Sequence, residues 1–224
     1  ATTHIYTLSL HDALPILLSE YISETEIPKR FYLHDQNWYD EHHVKVRYQN
    51  EVQSIDVANQ TISLIDEPIL SYDKLILCTG SRNFIPPLPG VKLGGVMDLR
   101  TLSDADLIKY KSQSARKVVI IGGGLLGLEI GWQLKKLNIA VTVVEMMDRL
   151  LPRQLDMEAS VIFEEKVAAT GIHVIKGVQT QEIVGQDWVE GVKLSNGETL
   201  EADLVIVSIG DRKSTRLNSS HGII

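Results

Sequence analysis

The sequence predicts an α/β fold of two related lobes, each a βαβ unit followed by a β-meander, with the first lobe incomplete. Three observations predict it. A strand, a glycine loop, a helix and a second strand follow one another from Lys117 to Glu145. A 38-residue pattern occurs twice, at His43–Gly80 and His173–Gly210. Both copies close on an apolar strand without polar alternation, the signature of a strand covered on both faces.

The 224 residues are long enough for a sizeable core, and 44% hydrophobic with 23% charged residues is ordinary for a globular protein. The formal net charge of −7 argues against nucleic acid or an anionic membrane surface as the main partner. No apolar run approaches the length of a membrane span. Cys78 is the one cysteine, which excludes an internal disulfide or a CxxC metal site and fits a reducing compartment, the cytoplasm.

The first copy, "HVKVRYQNEVQSIDVANQTISLIDEPILSYDKLILCTG", reads as a strand, two meander strands around the turn residues "DVANQT", and a buried strand ending in glycine. The second, "HVIKGVQTQEIVGQDWVEGVKLSNGETLEADLVIVSIG", repeats that order around "LSNGET". The copies align without gaps, matching Leu64 to Leu194, Leu70 to Leu200 and Asp73 to Asp203. Equal length and a shared terminal glycine point to duplication.

Ahead of the second copy, "KVVII" is a short buried strand and "LLGLEIGWQLKKLN" has helical spacing, expected to turn Leu125, Leu128, Trp132 and Leu137 toward the sheet. The loop between them runs Gly122, Gly123, Gly124, Leu125, Leu126, Gly127. In this pattern Gly122 permits a tight turn, Gly124 lets backbone approach a pyrophosphate, and Gly127 allows close helix–strand contact. The helix start offers free N–H groups to phosphate. "AVTVVE" then ends in Glu145, 23 residues after Gly122, where a carboxylate accepts from an adenosine ribose. The lobe is therefore predicted to be a Rossmann-like dinucleotide-binding domain. A carboxylate at Glu145 repels a 2′-phosphate, so NADH is favoured over NADPH; Arg149 and Arg153 oppose this, since either could pair with a phosphate.

The loop begins 51 residues before His173, and a matching loop for the first copy would fall before residue 1. "TLSLHDALPI" (Thr7–Ile16) and "DRKSTRLNSSH" (Asp211–His221) are similar to reading frames of sequencing adapters. The expected organisation is adapter-derived residues at 1–16 and 211–224, the C-terminal half of a first nucleotide-binding lobe at 17–110, which the resemblance given next implies to be FAD-binding, and an NAD(P)-binding domain at 111–210. The tail is expected to be disordered or arbitrarily packed.

"YDKLILCTGSRNFIPPLPG", "IIGGGLLGLEIGWQL" and "VTVVEMMDRLLPRQLD" together resemble the FAD-dependent pyridine nucleotide-disulfide oxidoreductases, and within them the NADH nitrite reductase large subunit and rubredoxin reductase branch. The resemblance implies FAD on the first lobe, NADH on the second, and hydride passing from nicotinamide to flavin. Carried over by position, Thr79 and Gly80 would line FAD together with Ser81 and Arg82, and Val52 would offer its main chain to the adenine. Glu129 would stand where nicotinamide meets flavin, and Gly210 would pass near the NAD site. The implied partner is a sirohaem or iron–sulfur domain, or rubredoxin. The flavin phosphate loop and a downstream Gly-Asp segment of the family are not in the sequence, so the chain by itself is expected to hold FAD poorly and to be inactive.

Cys78 stands where the family has alanine, and Glu20 of "LLSEY" where some relatives have a redox cysteine. No metal site is predicted, and His42 and His43 read as ordinary surface or strand-start residues. "QNWYDEHH" reads as a helix docked on the core. A different class of function, a regulatory module that senses NADH/NAD without turnover, is the alternative to the enzyme.

Overall fold

A computed structural model of the chain describes residues 3–7, 15–27, 31, 34–48, 50–65, 67–77, 81–83, 85–213 and 222–223. The chain divides into two compact units. Ala1–Leu14, Lys29–Ser81 and Lys213–Ile224 form the first, and Pro15–Pro28 with Arg82–Arg212 form the second. The chain passes between them, so element numbers interleave.

The first unit contains β1 (Thr3–Thr7), α2 (Gln36–Glu41), β2 (Val44–Tyr48), β3 (Val52–Asp56), β4 (Thr61–Leu64), β5 (Leu70–Ser71), β6 (Ile76–Leu77) and β17 (Gly222–Ile223). β1 and β2 pair in parallel, β3–β4–β5 form an antiparallel meander, and β17 pairs antiparallel with β6. Described residues at both ends of the chain therefore form strands. Ladder bonds are made by main chain and ask little of the side chains. Asp35 caps α2 by accepting from the Trp38 N–H at 3.0 Å. Contrary to the sequence expectation, no α2 residue is buried in a core. Its aromatic run instead stacks on itself, with Trp38 between His34 (3.7 Å between ring centroids) and His42 (4.1 Å).

The second unit contains α1 (Pro15–Tyr21), β8 (Val96–Met97), α3 (Leu102–Ser112), β9 (Lys117–Ile121), α4 (Leu125–Lys136), β10 (Ala140–Glu145), α5 (Met157–Ala169), β11 (His173–Lys176), β12 (Thr180–Gly185), β13 (Val189–Leu194), β14 (Thr199–Glu201) and β15 (Leu204–Val207). The short β7 (Ser81–Asn83) and β16 (Asp211–Lys213) pair with each other. Five strands make a wholly parallel sheet in the order β11–β10–β9–β15–β8. The apolar runs predicted as covered strands are its centre: Val118–Ile121 and Leu204–Val207 are buried throughout. The meander β12–β13–β14 adds Ile183, Val189, Val192 and Leu194 to the same core.

Local capping side chains start α3 and α5. Thr101 and Asp104 form a reciprocal capping box at α3, and Asp156 accepts from the Ala159 N–H at 2.8 Å at the start of α5. The packing face of α4 differs from the expected one. Leu125, Trp132 and Leu137 are 54%, 42% and 40% exposed, and of that set only Leu128 is buried. Gly127, Leu128, Ile130, Gly131, Gln133 and Leu134 are the buried positions. A Cβ on Gly131 would lie 3.3 Å from Ile120 and 3.4 Å from Val141, so small residues bring α4 against the sheet. An apolar stripe read by size selects the wrong face when the close-packed face is made of glycine.

The two 38-residue copies take the same path, and β2–β6 recur in order as β11–β15. Their alignment is not gapless. Val52 pairs with Leu64 and Thr180 with Leu194, and each ladder is then interrupted by a bulge. Val52 therefore corresponds to Thr180 and Ile55 to Ile183, two residues away from the ungapped match. The hairpin of the second copy is longer, with a further irregularity between Val184 and Gly185, and the equal total length hides this. Among the described residues, no helix is long and apolar enough to cross a membrane.

Candidate functional site

The sheet reverses its winding between β9 and β15. From β9 the chain runs through α4 to β10 on one side, while β15 lies on the other. The crevice outside the carboxyl ends of two such strands is where this fold class binds ligands. Gly122 and Ser208 stand at that crevice. The Gly122 N–H donates to the Val144 carbonyl and the Ser208 N–H to the Ile121 carbonyl, both at 2.8 Å.

Gly122 has φ +115°, and a Cβ there would lie 2.2 Å from the Ser208 carbonyl oxygen. Only glycine accommodates both. A Cβ on Gly127 would lie 2.2 Å from the Gly122 carbonyl oxygen, so the helix docks directly on the turn. At Gly124 the opposite holds: a Cβ would meet nothing within 4 Å. This residue is the N-cap of α4, and no side chain caps it. The first-turn N–H groups, those of Leu125, Leu126 and Gly127, are therefore left to an anion or to water. Gly122 thus makes the tight turn and Gly127 the close helix contact, while Gly124 leaves open space above the helix start.

Glu145 ends β10 beside this loop. One carboxylate oxygen accepts from the Gly123 N–H at 2.7 Å and the other from the Met147 N–H at 2.8 Å. The two bonds fix the carboxylate across the base of the glycine turn. Leu150 closes the floor, since a Cβ on Gly123 would come within 2.7 Å of its Cδ2. Glu164 of α5 holds the Leu150 N–H at 3.0 Å and also pairs with Lys176. Burial opposes ionisation of Glu164, but the bonds from Lys176, Leu150 and Ser160 outweigh it and hold the carboxyl below its ordinary range.

Arg149 is turned into its own loop, donating to the Pro152 carbonyl at 3.3 Å. Arg153 is exposed. Gly210, with φ +104°, lies two residues beyond Ser208 and is also exposed. Glu129, on the second turn of α4, is half-buried and accepts from the Ser19 hydroxyl at 3.2 Å. The sequence reading missed Ser19 because it weighed "LLSEY" only against a redox cysteine. The four-residue spacing of Ser19 and Ser23, equal to that of Glu129 and Gln133, was the available signal.

Of the residues assigned to FAD, Val52 opens β3 opposite Leu64. Ser81 and Arg82 lie in β7. Thr79 and Gly80, like Cys78, fall outside the described residues. No cluster of three metal-ligating side chains occurs among the described residues.

A parallel strand, a glycine turn, an uncapped helix start and an acid on the next strand define a dinucleotide-binding domain of Rossmann type. Comparison with known proteins narrows the class. The pyridine nucleotide-disulphide oxidoreductase model matches residues 10–223, and the chain belongs to that family. It is 37% identical over 208 residues to the nitrite reductase (NAD(P)H) of Bacillus subtilis (strain 168), covering 93% of this chain and 26% of that protein. It is 32% identical over 206 residues to the biphenyl dioxygenase system ferredoxin–NAD(+) reductase component of Paraburkholderia xenovorans (strain LB400), covering 92% of this chain and 50% of that one. The crystal structure of the ferredoxin reductase for the CYP199A2 system from Rhodopseudomonas palustris superposes with a TM-score of 0.89 at 27% identity, over 96% of this chain and 54% of that chain. The chain spans about half or less of the length of these relatives.

Proposed function

We propose that this chain carries the NADH-binding lobe and part of the flavin-binding lobe of an FAD-dependent NADH oxidoreductase, in which NADH would give hydride to FAD and the reduced flavin would release electrons to a downstream acceptor. The observation that carries this reading is the Glu145 carboxylate held across the glycine turn by the Gly123 and Met147 N–H groups. That position suits the two hydroxyls of an adenosine ribose and repels a 2′-phosphate.

The residues present fit a dinucleotide. The pyrophosphate would lie over Gly124, where space is open, on the N–H groups of the α4 start. Gly123, Leu125 and Leu126 would supply main chain, Gly210 and Arg153 would border the site, and Glu129 would face the nicotinamide end. FAD, when bound, supplies the ring that accepts the hydride. Thr79, Gly80, Ser81, Arg82 and the Val52 main chain are the residues proposed to hold it. Names of relatives that include nitrite reductase and ferredoxin reductase support, as acceptor, a sirohaem or iron–sulfur domain or a rubredoxin-type protein. The single cysteine supports a cytoplasmic setting.

Calorimetric titration of the chain with NADH and NADPH tests the site. NADH should bind more tightly, and Glu145→Arg should shift the ratio of affinities toward NADPH by about tenfold or more, since one decade needs only about 1.4 kcal/mol. Equal affinities in the unmutated chain, or an unchanged ratio in the variant, would remove Glu145 from the ribose.

A further inference from the structure

We propose that Ser19 is a positioning residue for Glu129, holding its carboxylate toward the nicotinamide end of the nucleotide. This inference rests on the nucleotide site proposed above. Ser19 is 1% exposed on α1, and its hydroxyl donates to Oε2 of Glu129 at 3.2 Å across 110 positions of sequence. A glutamate on a helix surface has three rotatable bonds. One buried donor to its carboxylate selects among the rotamers, and a hydrogen bond to an ionised acceptor is stronger than a neutral one.

The donor is itself held in place. One turn further along, the Ser23 hydroxyl donates to Oε1 of Gln133 at 2.6 Å. The Tyr21 hydroxyl donates to Asp106 of α3 at 2.8 Å, and the Lys109 ammonium lies 4.1 Å from the Tyr21 ring centre. Ser19 and Ser23 thus meet Glu129 and Gln133 rung by rung. The two rungs differ in consequence. Gln133 is buried and also accepts from Lys136 at 2.9 Å, so its rung docks one helix on another. Glu129 is half-buried and lies two residues beyond Gly127, next to the loop that would carry the nucleotide.

The test compares NADH with ADP-ribose, which has the same adenosine and pyrophosphate but no nicotinamide ring. Each is titrated calorimetrically into the chain and into Ser19→Ala, Glu129→Ala, the double variant and Ser23→Ala. Loss of one hydrogen bond predicts that Ser19→Ala weakens NADH about fivefold while ADP-ribose stays within about twofold. The double variant should bind NADH no more weakly than Glu129→Ala alone. Ser23→Ala should lower the thermal midpoint yet keep the ratio of the two affinities. Where Ser19→Ala does not fold, the isosteric Ser19→Cys should shift the ratio in the same direction. A Ser19 variant that weakens both ligands equally, or neither, overturns the positioning role while the nucleotide site stands. An unmutated chain that binds neither ligand overturns the site itself.

Discussion

The two copies of the 38-residue pattern share their strands and the burial of their middle meander strand, where Ile62 and Leu64 match Val192 and Leu194, but not the burial of the first meander strand or of the last strand. In the second copy Ile183, Val192 and Leu194 are buried, and β15 runs between two parallel neighbours. In the first, every residue of β3 is exposed and β6 pairs only with β17 among the described strands. Ile55 and Ile183 occupy corresponding ladder positions, yet Ile55 is 37% exposed and Ile183 is 2%. The same alternation and turn chemistry therefore produce the same meander twice, while the stabilisation each strand delivers is set by what packs on it.

The largest test of that difference is a matched truncation. Ile183→Ala should cost about 3 kcal/mol of unfolding free energy, as for a buried aliphatic side chain, and Ile55→Ala about 1 kcal/mol or less. Urea denaturation of each variant measures both, and equal losses would mean that the two meanders are supported alike.

A smaller contrast is expected at the matched aspartates. Asp203 accepts from the Arg116 and Lys117 N–H groups at 2.7 and 2.8 Å and so fixes the start of β9. Asp73 has no such pair of donors among the described residues. Asp203→Ala should cost about 1–2 kcal/mol and Asp73→Ala under about 0.5 kcal/mol, again read from urea midpoints.

The smallest effect sought is one of pH. The folded-state pKa of Glu164 is depressed, so its contribution to stability is present above its ordinary value of 4.5 and is lost as pH falls through the depressed one. Thermal midpoints should fall on acidification below about pH 4.5, and less steeply in Glu164→Gln. Identical slopes would show that the Leu150–Glu164–Lys176 contact contributes nothing to folding.

Much of the site was legible because it is local. The geometry of Gly122, Gly124 and Gly127 follows from one turn of about six residues, and the place of Glu145 beside it from the length of one βαβ step. The face of α4 was misread because hydrophobic size points to Leu125 and Trp132, while the sheet receives Gly127 and Gly131. The meander register was misread for a related reason. A bulge changes which residues oppose one another without changing the apolar pattern that an alignment follows.

By itself the sequence determined four of the five strands of the parallel sheet (β9, β10, β11 and β15), the glycine turn and the acid beside it, because each depends on neighbours a few residues away or on one strand–helix–strand step. Only the tertiary structure decided which side of α4 meets the sheet, how the two hairpins are registered, and that Ser19 reaches Glu129. Those outcomes depend on contacts between residues far apart in the chain, and no local periodicity encodes which distant group will arrive.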